Sequence, residues 1–418
     1  MHQRGAEADY QGWVEMGAEG WSYDEVAPVF ERIELRGADP DSAPVGRLPI
    51  IGGDGKHTGG VSQAFMEACG AAGHPTDVDL NARSYEGAGW VEFNMHAGRR
   101  YSARKAFLEP ALRKDTVELR GETRATRLVL DEAGRCTEVE LRGPDGEASR
   151  VGVGAEVLVC AGAIETPKLL LLSGIGAPES LHAHGIDPVL ELPGVGRDLH
   201  DHAMVWVRHD LAQPLPCERL MNYEVSMFLR SRPDMPACDL EFICMDLSFD
   251  DLDAGREATA VDFIACVVRP DARGRVELAD ADWRTPPVIQ VNYLGEAHDR
   301  ERLRQATRLL RDVLGQAPLK DALGKEVRPG PEVRSDADLD AYIRKEALAQ
   351  WHIAGSCRMG AASDPDAVVD PQLRLRGAAN VRVADASVMP RLVSAHCHAA
   401  TAMIGTRATD FVLDSAPG

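Results

Sequence analysis

Two histidines late in the chain, His352 and His396, are of a type that can do chemistry together. Imidazole changes charge near neutral pH, so two rings meeting at one site can take a proton from an oxygen and share it. His352 opens the run HIAGSCRMG, in which Ala354, Gly355 and Ser356 are small and turn-prone; His396 is followed two places on by His398. The elements around them must hold these rings. NVRVADAS reads as a buried strand, with Val381 and Val383 alternating about Arg382 and Asp385 closing it. Past His396, the residues Met403, Ile404, Phe411 and Val412 fall on one face of a helix. A strand, a polar turn and a helix start make the kind of place where α/β folds bind ligands.

This segment resembles the C-terminal signature of the glucose–methanol–choline (GMC) oxidoreductases, flavoenzymes that oxidise alcohols. The family's His ahead of a Gly-Thr-Cys-x-Met-Gly run is matched by His352, Gly355, Ser356, Cys357, Met359 and Gly360. Its Val-x-Asp-Ala-Ser-x-Met-Pro run is matched by Val383, Asp385, Ala386, Ser387, Met389 and Pro390, and His396 stands where a second His or Asn follows. GAIETPKLLLLSGIG matches a second family signature through Gly162, Thr166 and Pro167, and LPGVGRDLHDH resembles a third. The likeness runs from Arg4 to Leu413. Ser356 for Thr, Asp198 for Asn and Arg407 for a frequent Glu are its departures.

The resemblance implies an FAD-dependent alcohol dehydrogenase or oxidase. Oxidising an alcohol takes a proton from oxygen and a hydride from carbon, and only a cofactor can accept the second. By resemblance, His352 is the base, while His396 hydrogen-bonds the substrate hydroxyl and shares its proton. Asp385 is expected at the ribityl–pyrophosphate region of FAD, with Ala386 giving a backbone contact. His398, in place of the family's more usual Asn, is expected near the flavin ring. Ala125 takes the position whose backbone groups hold the adenine. The family's strand–GxGxxG–helix unit for the FAD pyrophosphate is not found in this sequence. The expected fold is therefore α/β plus α+β: an FAD/NAD(P)-binding Rossmann-like domain, incomplete, and a substrate domain built on an antiparallel sheet. Residues 1–204 would form the first, 205–345 the second, and 346–418 would return to the FAD domain with the histidines. Two other readings accompany this one. One is an inactive or incomplete chain that needs a separately encoded N-terminal fragment to hold FAD; the other is hydroxynitrile-lyase chemistry on the same histidines.

Composition narrows the partners. A chain of 418 residues is long enough for two domains, and 44% hydrophobic with 27% charged residues describes a soluble globular protein. A formal net charge of −20 argues against nucleic acid and anionic membranes; a small-molecule alcohol as partner is what the family resemblance implies. No apolar run reaches the roughly 20 residues of a membrane span, and the first residues lack a signal-peptide core. Nine cysteines without a CxxC pair read as reduced, mostly buried thiols in a cytoplasm. Asp198, Asp201 and the histidines of LPGVGRDLHDH tempt a metal reading, but a glycine-rich turn with Asp201 and His202 as a local polar pair is the plainer one; no metal is expected.

In chain order, Tyr10, Trp13 and Trp21 read as aromatic anchors, and Ser22 with Glu25 as a capping box. VSQAFMEACGAAG and DRERLRQATRLLRDVLGQ read as amphipathic helices, and GRRYSARKAFLEPALRK as a capped surface helix. TVELRG, ATRLVLD, CTEVEL and AEVLVCAGA read as strands. Further on, CDLEFICMDLSF and ATAVDFIACVVRP alternate like strands of one antiparallel sheet, which RGRVELAD and PPVIQVNYL would extend.

Overall fold

Between residues 203 and 267 the chain is rich in Val, Ile, Phe and Cys, residues that fit a pleated and buried surface, and there it forms its longest strands. The computed structural model describes residues 1–37, 45–52, 60–212, 221–255 and 258–415. Its largest sheet is antiparallel throughout, in the order Leu323–Arg328, Ala203–Leu211, Ala260–Val267, Leu240–Cys244, Val225–Leu229 and Gly87–Trp90. The short strand Leu348–Ala349 also pairs with Ala203–Leu211. Every residue of Val225–Leu229, Leu240–Cys244 and Ala260–Val267 is buried, so both faces of the sheet are covered. One face packs Phe242 and Phe263 against the helices Gly60–Ala71, Ala297–Leu314 and Asp336–Glu346. Phe65 stacks on Phe263 with ring centroids 5.7 Å apart. Because side chains alternate along a strand, the other face carries Met204, Trp206, Ile243 and Ile264, with Glu241 in the same row set.

A second core is built around a parallel pair, Val157–Val159 with Val381–Val383. The helices Glu7–Glu15, Tyr23–Ile33, Gly162–Leu172 and Cys397–Ser415 cover it. The three expected anchors are fully buried here. Trp13 donates its indole N–H to the Arg391 carbonyl at 2.7 Å, and Trp21 donates to that of Pro371 at 2.8 Å. The chain passes them so tightly that a Cβ at Gly17, where φ is +89°, would lie 2.4 Å from the Ala361 nitrogen. The Ser22–Glu25 box forms as read, with the Ser22 amide donating to Glu25 at 2.9 Å.

Several elements depart from the sequence reading. The helix Gly60–Ala71 and the strand Gly87–Trp90 lie inside the expected first region yet pack on the large sheet, so a cut at residue 204 does not separate the two cores in space. TVELRG forms no strand. Arg275–Glu277 and Val288–Gln290 pair only with each other and do not extend the sheet; Pro286 and Pro287 precede the second of these strands and have no N–H to continue a ladder. GRRYSARKAFLEPALRK makes a π-helical turn, Arg104–Leu108, followed by the short Glu109–Ala111 rather than one regular helix.

Candidate active site

His352 and His396, far apart in sequence, meet. Their rings are edge to face at 87° with centroids 4.6 Å apart, between the parallel-strand core and the antiparallel sheet. His352 sits just beyond the strand Leu348–Ala349, and its amide donates to Asp201 Oδ1 at 2.7 Å. Asp201 also accepts from the Tyr293 hydroxyl. His396 sits immediately before the helix Cys397–Ser415, so the close of one element and the start of another deliver the two rings to one point.

The sequence reading missed what lies around them. His202 is not simply the local partner of Asp201: its Nδ1 is 3.0 Å from His352 Nδ1, and the two rings are edge to face. Glu241, at the centre of the large sheet and wholly buried, places Oε1 3.2 Å from His396 Nε2. Its Oε2 accepts from the Gln350 side-chain amide at 3.0 Å. One signal in the sequence could have pointed to Glu241: it is the lone ionised residue in LEFIC, a strand otherwise apolar.

Burial, reinforced by the neighbouring His396 and His202, holds the His352 pKa well below the usual imidazole value, so this ring is neutral near pH 7. Burial likewise takes His202 down to about 4. Burial alone would push the Glu241 carboxyl up; the charge and hydrogen bond of His396, with Gln350, outweigh it and leave Glu241 below the usual carboxylate range and ionised.

Asp385 turns both carboxylate oxygens to protein donors. One of its oxygens accepts from the Gly162 amide at 2.9 Å and the Thr166 hydroxyl at 2.6 Å, and the other from the Ser387 amide at 2.8 Å. The carboxylate thus caps the N-terminus of the helix Gly162–Leu172 and ties it to the strand Val381–Val383. The other residues expected at the cofactor are small or exposed. Ala125 and Ala161, both exposed, line a cavity of about 300 Å³ with Glu165 and Trp283. Gly162 follows, at φ +82° with open space where a Cβ would stand. Ala386 is half-buried, its carbonyl accepting from the Gly355 amide at 3.2 Å. His398 lies in the first turn of the last helix; it is exposed, yet the surrounding protein with His2 and Arg100 draws its pKa down to about 4.

The sequence signature of GMC oxidoreductases matches residues 1–204 and again 270–405. Mitochondrial choline dehydrogenase of Mus musculus is 35% identical over 438 residues, covering 99% of this chain and 73% of that protein. The chain belongs to the GMC oxidoreductase family. Within it, an oxygen-dependent choline dehydrogenase of Brucella anthropi is 34% identical over 442 residues, covering 100% of this chain and 80% of its own length. The crystal structure of pyridoxine 4-oxidase from Mesorbium loti superposes with a TM-score of 0.89 at 29% identity, over 100% of this chain and 82% of that one. A formate oxidase at 20% identity shares the fold, with a TM-score of 0.84. These relatives are oxidoreductases and do not favour the lyase reading. Among the described residues no helix is long and apolar enough to cross a membrane, and no group of three or more His, Cys, Asp or Glu is placed to hold a metal. The mouse relative is mitochondrial, and nothing in the fold assigns this chain to the expected cytoplasm.

Proposed function

We propose that the chain is an FAD-dependent oxidoreductase acting on the CH–OH group of a small alcohol. The observation that carries this reading is the pair of rings 4.6 Å apart, one kept neutral by burial and the other set against an ionised carboxylate. A neutral His352 has a nitrogen lone pair free for the hydroxyl proton, and His396 offers an N–H to the substrate oxygen. Both rings are held before substrate arrives: His352 by its amide on Asp201, His396 by Glu241. Such fixing lowers the entropy lost in reaching the reactive geometry.

Ala125 and Ala161 beside a cavity of about 300 Å³, with open space over Gly162 and with Ala386 and His398 half-buried or exposed, leave room for an extended cofactor. FAD bound there supplies the hydride acceptor. In this reading Asp385 acts on the cofactor indirectly, by holding the Ala161–Gly162 turn in place. Choline and pyridoxine are the first alcohols to try, since relatives carry those names.

The test is the visible absorption spectrum of the purified chain with FAD, followed by anaerobic addition of each alcohol. A protein-perturbed flavin band that bleaches with one of them supports the reading. A flavin that binds and stays oxidised with every alcohol tried would overturn it.

A further inference from the structure

A cavity of about 450 Å³, of a size that takes a small ligand, opens where the helix Ala297–Leu314 ends against the strands Ala203–Leu211 and Leu323–Arg328. It lies on the helix-covered face of the antiparallel sheet, opposite the paired histidines. His209, which lines it, falls in the same alternating row as Val205 and Val207 and meets Phe263 edge to face. Leu314 and Leu323 supply apolar lining.

The charge of this cavity runs against that of the chain. Among the described residues its lining holds four cationic side chains and one carboxylate, Glu326, in a protein of formal net charge −20. Two of the four cations are already matched. Arg311 donates to both Glu326 oxygens, at 3.0 and 2.6 Å, and to the Val333 carbonyl at 2.7 Å. Arg308 is paired with Asp336. The other two, Lys320 and Arg334, are exposed and have no carboxylate partner among the described residues; Arg334 donates its Nε–H to the Pro331 carbonyl at 2.7 Å and keeps its terminal N–H groups free. The carbonyls of Arg311, Asp312 and Val313 are taken by Gly315 and Gln316, which blunts the negative end of the helix beside the cavity.

His209 adds a second kind of contact. Its Nδ1 is 3.3 Å from the Gly324 carbonyl, so that nitrogen carries the proton. Its Nε2 is buried without a hydrogen-bond partner among the described residues; the Glu326 oxygen beside it is 3.8 Å away and accepts from Arg311. A buried lone pair of this kind is satisfied by an O–H.

We propose that the cavity binds a small polyanion bearing a hydroxyl group, with Lys320 and Arg334 on its negative charges and His209 Nε2 accepting from its hydroxyl. Two unmatched cations at one cavity suit two negative charges on one small molecule, which a sugar phosphate or a hydroxylated polycarboxylate supplies. The site stands apart from the alcohol-oxidation reading and does not depend on it.

The test is equilibrium dialysis of the full chain, at low salt, against isotope-labelled glucose 6-phosphate and, separately, citrate. Retention of the first identifies a phosphate ligand and retention of the second a polycarboxylate one. The double variant Lys320→Ala/Arg334→Ala should weaken whichever binds by about tenfold or more. Arg113→Ala/Lys114→Ala removes the same charge from exposed positions that do not line the cavity, and should leave binding unchanged. His209→Phe, which keeps the bulk of the ring and removes its lone pair, should weaken binding by about tenfold. Retention of neither anion by the parent chain overturns the proposal. An equal loss in the two double variants does so too, because it would mean a general attraction to positive charge. Undiminished binding in His209→Phe overturns the hydroxyl contact and with it the proposal as stated.

Discussion

The two faces of the antiparallel sheet are equally buried and differ in what they bury. The face toward the helices is apolar: Phe242 and Phe263 pack with Phe65, Leu303 and Leu310. The face toward the histidines carries Glu241, and further along it Asp262, held by Arg208 at 2.7 Å. Charge survives burial on that second face because each carboxylate has a donor already built for it. A sheet of this kind gives stability from one side and chemistry from the other, and strand periodicity alone decides which residue goes where.

That division can be tested from its largest consequence downward. His352→Ala and His396→Ala touch the chemical side alone. Each should lower kcat/KM for the oxidised alcohol by about 10²–10⁴-fold while the flavin band remains, as read by steady-state kinetics beside the spectrum. Loss of flavin in both would mean that these rings hold the cofactor rather than serve the alcohol. Phe242→Ala touches the packing side. It should cost about 4 kcal/mol in urea unfolding and leave the flavin spectrum of the folded fraction unchanged.

Asp385→Ala should cost roughly 3 kcal/mol, because the Gly162 and Ser387 amides and the Thr166 hydroxyl lose their acceptor, and it should weaken flavin retention. An unchanged flavin content would mean that Asp385 does not support the cofactor. The smallest effect is on pH. His202 is neutral when folded, with a pKa near 4, and returns to the ordinary value near 6.5 when unfolded. The unfolded chain therefore binds more protons in acid. The stability from His202 is fully present above about pH 6.5 and is lost as pH falls toward 4, about 2 kcal/mol of it between pH 7 and pH 5. His202→Asn should flatten that slope in paired urea titrations; an equal slope in both chains would contradict a buried neutral ring.

Much of the histidine-bearing half was legible. The strand ending at Asp385, the helix after His396, the aromatic anchors and the capping box all announce themselves through local periodicity and turn chemistry, and they form as read. The floor of the site was not. In CDLEFICMD the alternating Glu241 looks like the wet side of a half-exposed strand, and only the second core, covering that side, makes it a buried charge. His202 and Gln350 were invisible for a related reason: their meaning depends on His352 and Glu241, both distant in sequence. Asp385 shows the limit of a motif from the other side. The motif marked an important carboxylate, but its oxygens face the protein itself, which no spacing reveals.

The two indole bonds, from Trp13 to Arg391 and from Trp21 to Pro371, have a consequence for the order of assembly. Each closes a loop of more than three hundred residues, so on a translating ribosome the helices Glu7–Glu15 and Tyr23–Ile33 must wait for that length to follow them. The sheet strands between 203 and 267 reach their partners far sooner. Newly made chains should thus hold a folded floor while their early aromatics are still exposed, and that interval is when chaperones have most to protect.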